Sequence, residues 1–362
     1  MTKIAILCKA GFSTGMGHAY RQVRLGKILR NRGMDIQFYI SDHPPSIELL
    51  QKEKFLPKIV AKEEDLPGEM DTFRDLVILD IQDTKKEFIK ALRKHSRKVM
   101  SFENLGEGRN LVDLLVDCNL EPEEAQSVSK GVKTLFGLPY SVLAEEFGQF
   151  HQRKKVFSKS LESLLVTMGG TDPNHLTLQL AKYFLQMNDP AASGRGIRQG
   201  FLFKSRGKPQ GMKPTLWESK KKTSITFVAG PGFKETQALI QLASSINCFQ
   251  VLRQADNMAE LLFNHQAVCC SGGVTLHESL AVGTPAFVIN QVVPQQEKSR
   301  PLEKRGAAID LGLAKDFDPQ KISRIWELTQ DQLETMSRKG KELVDGKGIY
   351  RVADEISALI SN

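Results

Sequence analysis

Residues Cys270-Ser271-Gly272-Gly273-Val274-Thr275-Leu276-His277-Glu278-Ser279-Leu280-Ala281-Val282-Gly283-Thr284-Pro285 constrain this chain more than any other stretch. The apolar run Ala267–Cys270 reads as a buried strand, Val274–Val282 as a helix and Ala286–Ile289 as the next strand. Two glycines therefore fall where a strand turns into a helix. Such a turn lets backbone pass close to a ligand. It also aims free N–H groups and the positive end of the helix dipole at that ligand. Glu278 follows one turn into the helix, where a carboxylate can accept hydrogen bonds from a ribose while the helix start holds phosphates. An ordinary tight strand-to-helix turn also carries a lone Gly-Gly. The additional Glu278, Gly283-Thr284-Pro285 and Gln295-Gln296 favour the ligand-binding reading.

The chain opens with the same kind of unit. Ile4–Leu7 is a strand suited to a parallel sheet, and a loop with Gly15 and Gly17 leads into a helix over His18–Arg30, closed by Gly33. Ile36–Ile40 is the next strand, which makes a doubly wound β–loop–α–β pattern. Gly15-x-Gly17 lacks the third glycine of a dinucleotide fingerprint, so the loop does not read as an NAD site. It offers His18 at a helix start and Arg21 one turn on. The helix dipole there favours the neutral imidazole that a general base needs, and the competing reading is a capping or surface histidine. Leu76–Leu79 is a third strand ending at Asp80, and carboxyl ends of strands in such sheets face the ligand crevice. Asp83 or Thr84 fits as the cap of a helix over Lys85–Lys94. Further strands are expected at Val99–Phe102 and Leu111–Val116.

The polar, basic stretch Gln149–Lys159 reads as a linker between domains over 1–148 and 160–362. The last helix is then available to pack back on the N-terminal domain. After the linker come strand Ser163–Met168, a loop carrying Gly169, Gly170, Thr171 and Asn174, and helix His175–Gln186. Strands are expected at Gly200–Phe203, Ile225–Val228 and Cys248–Leu252, with a helix over Asp256–Phe263 capped by Asp256. Helix regions beginning at Pro301–Arg305, then Asp331–Leu343 and Arg351–Ile360, complete the chain.

Its 362 residues suffice for two domains of ordinary size. With 50 Lys and Arg against 42 Asp and Glu, the formal charge of +8 suits an anionic substrate, nucleic acid or an anionic membrane surface. Aromatics at 7%, with no zinc-finger or RNP pattern, make nucleic acid the weaker partner and a small anionic molecule the stronger. No apolar run is long enough to span a membrane, which leaves only peripheral membrane contact. The chain starts directly in a strand, so no signal peptide is expected, and the protein reads as cytoplasmic. Cys8, Cys118, Cys248, Cys269 and Cys270 sit in or beside apolar segments without a C-x-x-C, as reduced thiols do. No metal-ligand cluster is visible, and neither a metal nor a cofactor is expected.

Several motifs carry a family resemblance. Gly15-Met16-Gly17-His18-Ala19-Tyr20-Arg21 matches G-x-G-H-x-x-R, and Asp113-Leu114-Leu115-Val116-Asp117-Cys118-Asn119 matches D-L-L-x-D-x-N. Leu135–Phe147 matches L-x-G-x-x-Y-x-x-L-x-x-E-F. Gly169-Gly170-Thr171-Asp172-Pro173-Asn174-His175-Leu176-Thr177 resembles G-G-S/T-D-P-x-N-L-T, with His175 where asparagine is usual. In this order, together with the 270–285 stretch, they resemble the pseudaminic-acid pathway UDP-sugar hydrolase and the spore-coat polysaccharide proteins grouped with it. That resemblance implies a GT-B fold: an α/β architecture of two Rossmann-like, doubly wound domains facing across a cleft. It implies UDP on the C-terminal domain, the sugar on the N-terminal domain, and His18 as the base. The hydrolase usually reads D-H-Y where this chain reads Asp80-Ile81-Gln82.

The leading expectation is therefore hydrolysis of a UDP-sugar in surface-glycan biosynthesis of nonulosonic-acid or spore-coat type. The alternatives are transfer of the sugar to an acceptor hydroxyl and a non-catalytic UDP-sugar-binding protein. The expected catalytic residues are His18 and Asp80. The expected substrate contacts are Gly15, Gly17, Arg21, Gly169, Gly170, Thr171, Asn174, Ser271, Gly272, Gly273, Val274, Thr275, Glu278, Gln295 and Gln296.

Overall fold

A computed structural model describes residues 1–9, 16–119, 121, 125, 127–188, 223–255 and 257–361. It holds two all-parallel sheets. The first has the order β3-β2-β1-β4-β5-β6-β7 and the second β10-β9-β8-β11-β12-β13. The first comprises β1 (Lys3–Cys8), β2 (Asp35–Ile40), β3 (Lys58–Ile59), β4 (Arg74–Asp80), β5 (Ser96–Phe102), β6 (Leu114–Asp117) and β7 (Lys133–Phe136). The second comprises β8 (Ser163–Thr167), β9 (Ser224–Val228), β10 (Phe249–Leu252), β11 (Ala267–Cys270), β12 (Ala286–Asn290) and β13 (Ala308–Leu313).

The apolar runs at the centre of the first sheet are buried on both faces, as parallel sheets require. Their two-residue period divides them between two cores. Ile4, Ile6 and Cys8 of β1 join Leu76 and Ile78 of β4 on one face. Ala5 and Leu7 join Val77 and Leu79 on the other. The first face is covered by helix Gly17–Asn31 through Val23, Leu25, Ile28 and Leu29, and by the last helix, Gly348–Ser361, through Ile349, Val352, Ala353 and Ile356. Gly33, left-handed at φ +82°, stops the first of these helices.

The chain divides into two compact units: Met1–Lys154 with Gly273–Gly283 and Arg338–Asn362, and Lys155–Gly272 with Thr284–Ser337. The first boundary, between Lys154 and Lys155, lies within the stretch 149–159. The expected linker is helical at its start, since helix Glu145–His151 runs into it. The helix Val274–Val282 groups with the first unit, where His151 Nδ1 lies 2.9 Å from the Ala281 carbonyl. Seven of its nine residues, Leu276–Val282, are buried, so it has no solvent face for a sequence pattern to reveal.

Other expectations need smaller corrections. The helix read from Pro301 spans Val293–Lys304 with Pro301 inside it. Leu111 belongs to a 3₁₀ turn, Glu107–Leu111, and not to β6. The helix Lys86–Leu92 has Lys85 at its N-cap and no side-chain cap, because Thr84 Oγ1 instead accepts from Asn104 Nδ2 at 2.7 Å. The helix Met258–Asn264 is capped by Asn257, which accepts from Glu260 N at 3.0 Å. Asp256 and the expected strand Gly200–Phe203 lie outside the described residues.

Candidate active site

Met16 occupies the N-cap of helix Gly17–Asn31 without a side-chain bond, so His18 does not cap it. Its ring turns to the carboxyl end of β4, where Nδ1 lies 2.7 Å from Asp80 Oδ1. The same oxygen accepts from Arg21 Nη2 at 2.6 Å. Oδ2 accepts from Arg21 Nε at 2.9 Å and from Gln22 Nε2 at 2.8 Å. Burial by itself pushes the Asp80 carboxyl up, but Arg21 and His18 more than offset it and hold the group down at about 2. An ionised carboxylate only accepts, so Nδ1 of His18 is the donor, and in the neutral ring that tautomer makes Nε2 the acceptor. Gly15 and the rest of loop 10–15 lie outside the described residues.

Arg21 makes a second ion pair, Nη1 to Glu103 Oε1, and its guanidinium sits 5.1 Å from the Phe102 ring centroid. Glu103 has a left-handed backbone, φ +43°, just beyond the end of β5. Cys118 Sγ, beyond β6, lies 3.5 Å from Glu103 Oε1 and 3.8 Å from His277 Nδ1, and Ser141 Oγ lies 3.3 Å from the same nitrogen. Burial pushes the Cys8 thiol up, and the neighbouring Asp80 adds to this, so the end of β1 contributes no thiolate. Beside this cluster an open depression of about 450 Å³ is lined by Lys9, Gln82, Asp83 and Leu105. Its walls are tied to the strand end: Lys9 N donates to the Asp80 carbonyl at 3.1 Å and Leu105 N to the Gln82 carbonyl at 2.7 Å.

The 270–285 stretch folds as read, with β11 leading to Gly273 as N-cap and the helix closed by left-handed Gly283 at φ +74°. Ser271 and Gly272 are buried; Gly273, Val274 and Thr275 are half-exposed. Gly272 has a packing duty, since a Cβ there would stand 2.3 Å from Asn290 Oδ1 and 2.9 Å from the Gln295 carbonyl. A Cβ built on Gly17 would stand 3.6 Å from Val274 Cγ2, so the starts of the His18 helix and the Val274 helix are neighbours. Glu278 is buried, and both terminal nitrogens of Arg24 lie 3.4 Å from its Oε1. Burial pushes the Glu278 carboxyl up, and Arg24 opposes this.

In the second unit, Gly169 is left-handed at φ +86°, as are Asp172 at +42° and His175 at +55°. Asp172 caps helix Leu176–Asn188 by accepting from Leu176 N at 3.0 Å and Thr177 N at 2.7 Å. The left-handed position 175 is one that asparagine and histidine tolerate, which accounts for the exchange there. Asn174 Nδ2 donates to Gln291 Oε1 at 2.7 Å, and Gln295 Oε1 accepts from Gln291 N at 2.9 Å. Asn174 thus spends a polar group on joining the loops beyond β8 and β12, and Gln295 spends one on the turn that follows β12. A Cβ on Gly232 would stand 2.8 Å from Thr171 Cγ2, so Thr171 packs against the loop beyond β9. Gly170 accepts at its carbonyl from Gly232 N at 2.8 Å, and Gln296, through its carbonyl, from Ser299 Oγ at 3.2 Å.

Sequence reasoning missed Gln22, Arg24, Glu103 and His277. Glu103 was open to the argument that found Asp80, since both stand at carboxyl ends of adjacent strands. Among the described residues no group of three or more His, Cys, Asp or Glu could hold a metal ion. Nor is any helix there long and apolar enough to cross a membrane.

Two parallel doubly wound sheets carrying these loops at their carboxyl ends constitute the GT-B fold. MurG of Acinetobacter baumannii matches it with a TM-score of 0.66 at 13% identity, over 99% of this chain and 100% of that one. In sequence, the chain is similar over almost its whole length to the spore coat polysaccharide biosynthesis protein SpsG of Bacillus subtilis, at 24% identity over 96% of each. A 135-residue stretch, 36% of this chain and 36% of the relative, is 30% identical to the UDP-N-acetylglucosamine–N-acetylmuramyl-(pentapeptide) pyrophosphoryl-undecaprenol N-acetylglucosamine transferase of Methylibium petroleiphilum. No family model matches the chain.

Proposed function

We propose that this chain is a GT-B glycosyltransferase of surface-polysaccharide biosynthesis, moving a sugar from a UDP-sugar to an acceptor hydroxyl. The observation that carries the reading is the 2.7 Å contact of His18 Nδ1 with a buried, ionised Asp80. It orients the ring and stabilises the imidazolium that forms when Nε2 takes a proton. The acceptor oxygen loses that proton to His18 as it attacks C1 of the sugar. The C1–O bond to UDP then breaks, and the electron pair leaves with the diphosphate. The start of helix Val274–Val282, which no side chain caps, supplies N–H groups and a positive dipole end for that charge. Glu278 would accept from the ribose. The depression lined by Gln82 and Asp83 offers an amide and a carboxylate to sugar hydroxyls. The loops bearing Gly169, Gly170, Thr171, Asn174, Gln295 and Gln296 belong to the same proposal as secondary contacts.

Transfer is preferred to the hydrolysis that the motifs led us to expect because the relative whose activity is named is a transferase. A non-catalytic binding role would leave the oriented His18–Asp80 pair without a use. The test is incubation with UDP-sugars, followed by NMR, with and without saccharide or lipid-linked acceptors. UDP release that needs the acceptor supports transfer, and rapid release with free sugar in its absence refutes it. In the same assay His18→Asn should lower kcat by about 10²–10⁴-fold.

A further inference from the structure

Arg21 touches two carboxylates, and only one of them, Asp80, belongs to the pair described as the base and its holder. The other, Glu103, comes from the neighbouring strand β5. Its left-handed φ of +43° is uncommon for a residue with a long side chain and is the kind of strain found at functional sites. Glu103 N donates to the Val116 carbonyl at 2.9 Å, which fixes that conformation and aims the carboxylate at Arg21 Nη1. The space beside the pair, lined by Arg21, Phe102, Glu103, Val116, Cys118, Tyr140 and Val142, measures about 10 Å³, room for at most one water. The charges are therefore poorly screened by solvent.

The following groups face them among the described residues. Around Glu103 stand Arg21 from the first helix and Cys118 from beyond β6, with Asp80 across Arg21 and His277 across Cys118. Around His18 stand Asp80, and Arg21 with Nη2 3.3 Å from Nδ1. That last contact joins two donors once Nδ1 carries its proton. The guanidinium charge therefore works directly against an imidazolium at His18, and Asp80 offsets it.

We propose that Glu103 is a positioning residue that shares the Arg21 guanidinium with Asp80, so that the negative charge of Asp80 remains available to the imidazolium formed at His18. The inference rests on His18 being the base, and it names the residue that sets that base's strength. Without Glu103, one cation and one anion flank His18 and cancel. With it, the flanking groups sum to one negative charge. Loss of the Glu103 charge therefore weakens the base and moves its protonation to lower pH.

The experiment compares wild type, Glu103→Gln and Glu103→Asp. Glutamine keeps the shape and an acceptor for Arg21 Nη1 but loses the charge. Its acid limb of kcat/KM should move down by about half to one pH unit. The His18 ring signal in a proton–nitrogen NMR titration, assigned by its loss in His18→Asn, should move in the same direction. Aspartate, set back by one methylene, should move both the same way by less. An unmoved limb and an unmoved ring titration in a folded Glu103→Gln protein overturn the proposal and leave Glu103 a structural residue, even if melting falls. Should the glutamine variant unfold, the same two readouts on Glu103→Asp decide. If His18→Asn turns over normally, the reading of His18 as base fails; the ring titration still tests the action of Glu103 on His18.

Discussion

Replacing Asp80 with asparagine tests the centre of the site. Each carboxylate oxygen faces two donors: Oδ1 meets His18 Nδ1 and Arg21 Nη2, and Oδ2 meets Arg21 Nε and Gln22 Nε2. Asparagine has one acceptor oxygen and one donor nitrogen. Whichever way the amide turns, its NH₂ confronts two buried donors, at least one of them on Arg21. An unsatisfied buried partner costs about 1–3 kcal/mol, and breaking a buried ion pair about 3–5 kcal/mol. Glu103 remains to hold Arg21, so a loss of about 3 kcal/mol in unfolding free energy is expected. Turnover suffers separately. With NH₂ toward His18, the ring is driven to the tautomer that protonates Nε2 and the base is gone. With the amide oxygen toward His18, the tautomer survives but the imidazolium loses its counter-charge. Either arrangement should lower kcat by about 10²–10⁴-fold. Urea denaturation, NMR-monitored turnover and calorimetric titration with UDP measure the three consequences. UDP affinity should hold. A variant within about 1 kcal/mol of wild type that turns over within about threefold would refute this account of the site.

Two further outcomes follow from the same electrostatics. Because the Asp80 carboxyl is held down at about 2 from an ordinary 3.8, its stabilising contribution is complete above about pH 4 and is lost as pH falls toward 2. At about 1.4 kcal/mol per unit this amounts to about 2 kcal/mol, so the stability gap between wild type and Asp80→Asn should narrow in denaturation curves taken across that interval. Glu278→Gln removes a buried charge that Arg24 offsets only through 3.4 Å contacts. Its unfolding free energy should stay within about 1 kcal/mol of wild type while UDP affinity falls about tenfold or more, and calorimetry showing unchanged affinity removes Glu278 from the nucleotide site.

Much of the fold is legible because strands buried on both faces are continuous apolar runs. Ala267–Cys270 and Val274–Val282 are read to the residue, and β1, β4 and β8 to within two residues. The elements that escape are those whose burial is partial. β3 has two residues at a sheet edge, and β13 carries Asp310 and has only Ala308 and Leu311 buried among its six residues. The proline in Val293–Lys304 imitates a helix start, since Pro is favoured in a first turn, yet Pro294 already fills that place in this helix. The allotment of Val274–Val282 to the first unit was hidden for the opposite reason. Buried nearly all round, it fits either unit equally well by pattern.

The site divides along the same physical line. His18 and Asp80 can be found from sequence because each stands at a position that local structure marks, a helix start and a strand end. Their contact spans 62 positions and follows from the pairing of β1 with β4 in register. Arg24 carries no such local mark, and Glu103 stands one residue past a strand end, where its partner is not marked locally. Arg24 reads as one more cation on a basic helix until Glu278, 254 residues away, is seen beside it. Glu103 reads as a loop acid until the order β1-β4-β5 sets its strand next to that of Asp80. A buried cation must be paired, so once Arg21 is placed beneath Asp80, the strand on the far side becomes the place to look for a second carboxylate. The residues that define the base can be read locally, and those that tune its charge become visible only after the sheet order is known.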